Sequence, residues 1–345
     1  MNHIPLSVVA LARNEEKNMA QCLDRFAGWA DQVFIVVDDR TNDATVAIAQ
    51  KYGAEVVVRK FGDFVAQRNW ALRNLPFRNE WVLFIDPDEY PTEELKREIV
   101  QVVNGGGVTP PASPYGKGRL GEVKQDIGIN IPFPSPYDKG RLGEVTAYNS
   151  PDHSYIKRGM ILHNSSPYDK GRLGGVNGYY IKRRFIFWGK WLKHGGYYPV
   201  WILRLMRHRV ARCEGVKMDE HFAVEGTTGR LASDLVHDDR RGLRDWFQKH
   251  RAYAEFKALE YIAGGSAQGP TGSDAISRER VAKRELWDKL PLFVRPFLYW
   301  GYTMFVRGGF LDGIPGIVFH TLRGFWYPLL IDREIVRLRR KSHLS

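Results

Sequence analysis

Residues 81–90 read WVLFIDPDEY, and in them Asp86 and Asp88 stand two apart at the end of an apolar run. Side chains at i and i+2 of an extended segment leave on the same side, so this spacing predicts two carboxylates able to grip one cation together. Two hard oxygens with coordination positions left open suit Mg2+ or Mn2+ carrying a substrate phosphate. The alternative is a strand running into an Asp-Pro turn, since both residue types are ordinary in turns.

Carboxylates in that role need a scaffold that brings other loops to them. Residues 1–104 alternate short apolar runs with helical periodicity. Strands are expected at Leu6–Ala12, Val33–Val37, Glu55–Val58 and Trp81–Ile85. Helices are expected at Glu15–Trp29, Ala44–Tyr52 and Phe64–Leu75. Strand and helix repeated at this spacing imply an α/β fold with a mostly parallel sheet and right-handed crossovers. Ligands bind beyond the carboxyl ends of the strands in such sheets. Arg13-Asn14-Glu15, Asp38-Asp39 and Asp86-Asp88 all fall at those ends, so three polar clusters are expected to share one rim.

Charge is divided along the chain. Residues 1–104 carry 12 basic and 16 acidic residues, whereas 177–261 carry 17 and 10, and 278–345 carry 13 and 6. An acidic half that needs a cation is thus joined to a basic half suited to phosphate or to an anionic membrane surface. The net charge of +12 would also fit a nucleic-acid binder. No nucleic-acid motif or zinc spacing accompanies it, so nucleic acid is not expected as a partner. Cys22 and Cys213 form no CxxC, which argues against a disulfide scaffold or thiolate metal site and for a reducing, cytoplasmic setting. The first apolar run stops at Arg13 without a basic leader and reads as a strand, not a signal peptide.

Residues 105–176 differ in kind. SPYGKGRLGEV (113–123), SPYDKGRLGEV (135–145) and SPYDKGRLGGV (166–176) are near-identical copies whose starts are 22 and then 31 residues apart. A solenoid needs a fixed period, so these copies read as a disordered, dispensable insert in a surface loop, or as a repeated docking peptide. Aromatic and β-branched residues after Asn177 imply strands, with Gly195-Gly196 as a turn. A helix is expected over 242–262, with Leu243, Trp246, Phe247, His250, Tyr253, Leu259 and Ile262 near one stripe. Residues 263–277 have linker composition. The tail, 278–345, is apolar but broken by Arg295, Arg307, Asp312, His320 and Arg323, so no uncharged run is long enough to span a bilayer. Amphipathic helices in a membrane interface, or packing against the remaining chain, are the two readings of it.

These motifs, in this order, resemble the family 2 glycosyltransferases of the GT-A fold, and among them bacterial enzymes of lipopolysaccharide-core or exopolysaccharide assembly. ALARNEE (10–16) is similar to the first-strand loop that receives the nucleotide, and VVDDRTNDAT (36–45) to the Asp-rich turn. QRNWAL (67–72) is similar to the helix whose polar end faces the donor, and FIDPDEY to the segment holding the metal-binding Asp-x-Asp. HGGYYPVWILRLMR (194–207), MDEHF (218–222) and LVHDD (235–239) resemble the acceptor half, and the tail resembles the usual C-terminus. The resemblance covers roughly 1–104 and 177–335; the insert has no counterpart.

The resemblance implies a cytoplasmic enzyme, peripheral on the membrane, that transfers a hexose from a nucleotide-diphosphate sugar to a glycan or lipid-linked acceptor with Mn2+ or Mg2+. Residues 1–104 would bind the nucleotide-sugar and 177–262 the acceptor. Asp88 would be the direct metal ligand, with Asp86 assisting or contacting the ribose. Asp39, or Asp38 beside it, would accept from the base N–H, unless both merely cap their turn. Ala12, Asn14 and Glu15 would line base and ribose, and Arg68 would meet a phosphate. An inverting transfer also needs a carboxylate to take the acceptor proton, and Asp219 and Glu220 are the candidates. His237 is either a third metal ligand or a structural histidine; His194 and Arg204 would line the acceptor pocket. Two rivals are a Mg-dependent nucleotidyltransferase, which would want a Gly-rich or basic first-strand loop, and a non-catalytic membrane-associated scaffold. A phosphohydrolase would carry its Asp-x-Asp on the first strand instead of the fourth.

Overall fold

The computed structural model describes residues 3–106, 175–215, 220–263 and 290–342. The insert, apart from its two ends, and nearly all of the linker therefore lie outside the described residues, as does Asp219.

The first half builds four parallel strands: β1 (Ile4–Ala12), β2 (Ala30–Asp38), β3 (Glu55–Arg59) and β4 (Trp81–Ile85). Between them run α1 (Glu16–Asp24), α2 (Thr45–Lys51) and α3 (Phe64–Asn74). A short β5 (Glu89–Pro91) and α4 (Glu93–Val103) follow. The expected elements are all present, with β4 at its expected bounds. The first helix is shorter than its periodicity implied: it stops at Asp24, and Gly28, at φ +69°, turns the chain back into β2. That left-handed backbone favours glycine and cannot continue a helix.

Strand β4 explains why the sheet is where it is. All five of its residues are buried; Trp81, Leu83 and Ile85 join the core on one face, Val82 and Phe84 the core on the other. A strand apolar on both faces has to lie between two helical layers, and each such side chain contributes about 1.5–3 kcal/mol on burial.

The second half extends this sheet with β6 (Val176–Phe187), β7 (Lys190–Leu192), β8 (Val200–Arg207) and β11 (Thr227–His237). β9 (Ala211–Glu214) and β10 (His221–Val224) make a separate hairpin. The sheet order is β3-β2-β1-β4-β8-β6-β11-β5, with β7 on β6. β8 runs antiparallel to both β4 and β6, which makes β6 and its parallel neighbour β11 point the same way as β1, β2 and β4. The ends of β1, β2, β4 and β11 therefore share one rim, and His237 at the end of β11 joins it.

Helix α5 (Leu243–Ile262) leaves that rim and packs along the C-terminal helix α8 (Tyr327–Ser342). Its inward residues are His250, Tyr253, Ala254 and Ala258, while Ile262 is exposed. The expected stripe was thus too wide: small Ala254 and Ala258 let α8 approach closely, which large residues there would prevent. Between α5 and α8 come α6 (Arg295–Gly301) and α7 (Gly313–Thr321). They are joined by a π-type turn at 302–306 and a 3-10 turn at 309–312, and a second π-type turn at 322–326 leads into α8.

Candidate functional site

Asp86 and Asp88 do not sit on an extended segment. β4 ends at Ile85, and the Glu89 N–H donates to the Asp86 carbonyl at 2.8 Å, closing a turn over 86–89. Proline at 87 favours a turn over a continued strand. The premise that strand spacing aligns the two carboxylates is corrected accordingly: each takes its own set of partners.

Asp86 is held by two arginines. Arg204 Nη2 reaches its Oδ2 at 2.6 Å, and Arg68 Nη2 its Oδ1 at 3.3 Å. Desolvation works against the charged carboxylate, but Arg204 and Arg68 outweigh it and hold Asp86 below the usual carboxylate range. Arg204 also bonds the fully buried Glu89, at 3.0 Å to Oε2. Glu89 Oε2 in turn accepts the Asp86 N–H at 3.0 Å, so this carboxylate fixes the turn from inside. Its pKa is pushed up by burial and pulled back by Arg204.

Asp88 faces the other way round the turn, toward β11. Its carbonyl accepts the Asp238 N–H at 2.8 Å, and strand register sets His237 opposite Glu89. Asp88 Oδ1 then lies 3.3 Å from His237 Nδ1, and both buried atoms are without a hydrogen-bond partner. Leaving two buried polar atoms unsatisfied costs about 1–3 kcal/mol each, so they invite a ligand. The His237 ring is oriented by Phe185, stacked on it at 4.7 Å and 25°. An anionic oxygen and an imidazole nitrogen converging on one point fit a divalent cation with remaining positions open to phosphate or water. Among the described residues no group of three or more His, Cys, Asp or Glu is disposed to hold a metal, so a substrate would have to complete the shell.

Arg241 closes the site on the side of β1. It bonds Asp239 through Nε at 2.8 Å and Nη2 at 2.7 Å, Glu15 at 2.8 Å, and Asp88 Oδ2 at 3.4 Å. Glu15 is buried, takes a second hydrogen bond from Asn18 at 2.8 Å, and is anchored by its own N–H to Thr45 Oγ1 at 2.7 Å. It therefore acts by holding Arg241. Neighbouring Asn14 is exposed, at φ 53°, with its side-chain oxygen accepting the Asn42 N–H; Ala12 is buried beneath it. Asp38 is buried and chelated by Arg40 at 3.0 and 2.8 Å, with Arg13 at 3.7 Å, whereas Asp39 is exposed. Of the two aspartates, Asp38 caps its turn and Asp39 offers a free-facing carboxylate.

On the opposite side Arg68 joins Asp86 to Glu220, whose Oε1 it meets at 2.8 Å. Burial raises the Glu220 pKa despite that arginine. His194 does not reach these groups through any described contact; its N–H and ring bind Asp312 at 2.9 and 2.7 Å. Sequence reasoning placed Arg204 at an acceptor pocket, and the structure brings it to Asp86 and Glu89. It missed Glu89 and Arg241 as organisers. The first was legible as a third acid next to Asp-x-Asp, the second as an arginine just beyond LVHDD.

The described residues thus form a mostly parallel sheet flanked by helices, with acidic and basic loops gathered at its carboxyl rim. Residues 7–162 match the model of glycosyl transferase family 2. This part of the chain is similar to that family. An uncharacterized glycosyltransferase of Rickettsia conorii is 39% identical over 94 residues, 27% of this chain and 32% of that protein. One from Rickettsia typhi is 37% identical over 94 residues, 27% of this chain and 31% of that protein. The matched stretch thus spans about a third of the length of these curated relatives. Among solved structures, residues 1–349 of S. aureus TarS in complex with UDP-GlcNAc superpose with a TM-score of 0.36 at 14% identity, covering 97% of this chain and 92% of that one. Glucosyl-3-phosphoglycerate synthase of Mycobacterium tuberculosis, solved with Mn2+, UDP-glucose and phosphoglyceric acid, gives 0.25 at 21% identity, over 30% and 40%.

Proposed function

We propose that this chain is a metal-dependent, inverting glycosyltransferase that moves a hexose from a nucleotide-diphosphate sugar to a glycan or lipid-linked acceptor of cell-surface polysaccharide. The observation that carries the reading is the pair of buried atoms Asp88 Oδ1 and His237 Nδ1, which make no hydrogen bond and face each other 3.3 Å apart at the strand rim. Mn2+ or Mg2+ held by Asp88 and His237 would neutralise the diphosphate as it leaves.

The protein's own groups divide the remaining work. Arg241 and Arg204 hold Asp88 and Asp86 in place, so neither carboxylate must reorganise when a donor arrives. Arg68, already between Asp86 and Glu220, is placed to meet a phosphate. Asp39 is open to the base N–H, while Asp38 shapes the turn through Arg40. Asn14, on the exposed backbone after β1, faces the nucleoside, and Glu15 supports it from below through Arg241. The proton of the acceptor hydroxyl goes to a carboxylate of the Asp219-Glu220 pair; burial raises the proton affinity of Glu220, which suits a base. Residues 1–104 serve as the donor half and 177–262 as the acceptor half, with His194 on the acceptor side.

Incubation with Mn2+ and a panel of UDP-, GDP- and TDP-sugars tests this, read as thermal stabilisation and as release of nucleoside diphosphate. Metal-dependent stabilisation by one donor is the expected result. Indifference to every donor, with and without metal, contradicts it.

A further inference from the structure

The C-terminal region is built with its polarity reversed. Between Phe293 and Ile317 the outward face carries Phe297, Leu298, Phe305, Val306, Leu311 and Ile314, each more than half exposed, Val306 and Ile314 at 73%. Apart from the exposed Arg307, the charged residues between 293 and 323 point inward instead. Arg295 is buried against Asp332, Asp312 against His194, and Arg323 against Tyr197. Thr303 and His320 are buried as well. In water the reverse would be expected, since exposed apolar area is unfavourable by about 25 cal/mol per Å².

We propose that this face lies in the interfacial zone of an anionic lipid bilayer, its aliphatic and aromatic side chains among the acyl chains. Two observations select lipid over a protein partner. First, the sole acidic residue of the described segment 290–317 is Asp312, which is buried, so no carboxylate opposes an anionic headgroup. Second, the exposed cations Lys190, Lys193 and Arg307 stand beside the apolar face, with Trp188 exposed on the same β6–β7 hairpin; amphipathic aromatics and basic residues belong at headgroup level. That hairpin packs on the turn at 309–312. No helix among the described residues is long and apolar enough to cross a membrane, so the contact proposed is with the interface plane.

The docking face is wired to the rim. Gly195 N–H donates to the Arg307 carbonyl at 2.9 Å, and His194 holds Asp312 between exposed Leu311 and the start of α7. Phe319 on α7 packs against Phe185 at 5.0 Å, and Phe185 stacks on His237. A bilayer on this face therefore lies one packed layer from the candidate metal site. Resting on the transferase reading above, this geometry presents the acceptor side of the site to a lipid-linked substrate. The docking itself does not depend on that reading.

The test is flotation of the full chain with vesicles of phosphatidylethanolamine and phosphatidylglycerol, beside the double variant Val306→Asp, Ile314→Asp. Both positions are exposed, so the variant is expected to keep its thermal midpoint and its nucleotide-sugar hydrolysis. Wild-type protein floats with the vesicles, and the variant's partitioning falls roughly tenfold or more. Wild-type protein that stays unbound overturns the proposal. So does a variant that still floats, or light scattering showing a vesicle-indifferent wild-type dimer that the variant converts to monomer, which would give the face to a second copy. Hydrolysis lost in wild type and variant alike, with flotation intact, would sink the transferase reading and leave the docking in place.

Discussion

Asp88, in the turn after β4, and His237, at the end of β11, are far apart in the chain, yet their facing atoms lie 3.3 Å apart because β11 pairs antiparallel with β5. That pairing sets His237 opposite Glu89, directly after the turn that carries Asp88. Two other supports, the Phe185 stack and the Asp238 N–H to the Asp88 carbonyl, fix the same relationship from the ring and from the backbone. A preorganised pair of this kind needs no movement to receive a cation.

Arg204 carries two carboxylates at once, and one of them, Glu89, is fully buried. Arg204→Met leaves Glu89 without its nearest cation and should destabilise the fold by about 3–5 kcal/mol. Urea denaturation measures this, and Arg204→Met combined with Glu89→Gln should recover part of the loss. A single variant within about 0.5 kcal/mol of wild type would show that the turn is held by other means.

Acidification should act through His320. Its ring is buried between Gly195 and Gly309, where any Cβ would collide with it, and burial holds its pKa down at about 4. The unfolded chain takes up that proton near the ordinary value of about 6.5, so stability is full above that pH and falls as pH drops from there toward 4. The slope is at most about 1.4 kcal/mol per pH unit for this group, and on the order of 3 kcal/mol in all. His250, also held low by burial, adds in the same sense. Stability curves between those limits for wild type and His320→Gln check this; parallel curves would contradict it.

Glu220 and Asp219 can be separated by rate. Replacing the true base by its amide, Glu220→Gln or Asp219→Asn, should lower transfer on the order of 10²–10⁴-fold. Glu220→Gln should in addition loosen Arg68, which would appear as weaker donor binding. Transfer unchanged in both variants would remove this pair from the chemistry.

Replacing residues 107–174 by a short Gly-Ser linker should leave the thermal midpoint and donor turnover close to wild type. Loss of soluble protein would assign the repeats a structural part.

Much of the fold was legible because local pattern and global position agree. Trp81–Ile85 is apolar on both faces, and only a central strand satisfies that. The rim was legible for the same reason: polar clusters closed three apolar runs. The partners were not. Nothing in sequence spacing says that Arg204 crosses from β8 to Asp86, or that Glu15 turns inward to Arg241, because both depend on strand order in the second half. The outward apolar face of 293–317 was equally hidden, since hydropathy reports how much is apolar and not which way it points.

Mn2+ binding is the most direct measurement, followed by electron paramagnetic resonance with UDP or GDP present, in wild type, Asp88→Ala and His237→Ala. Wild type should bind one ion with at least one of the two nucleotides, and both variants should weaken that binding on the order of a hundredfold. Undiminished Mn2+ binding in Asp88→Ala would place the cation elsewhere and contradict the account.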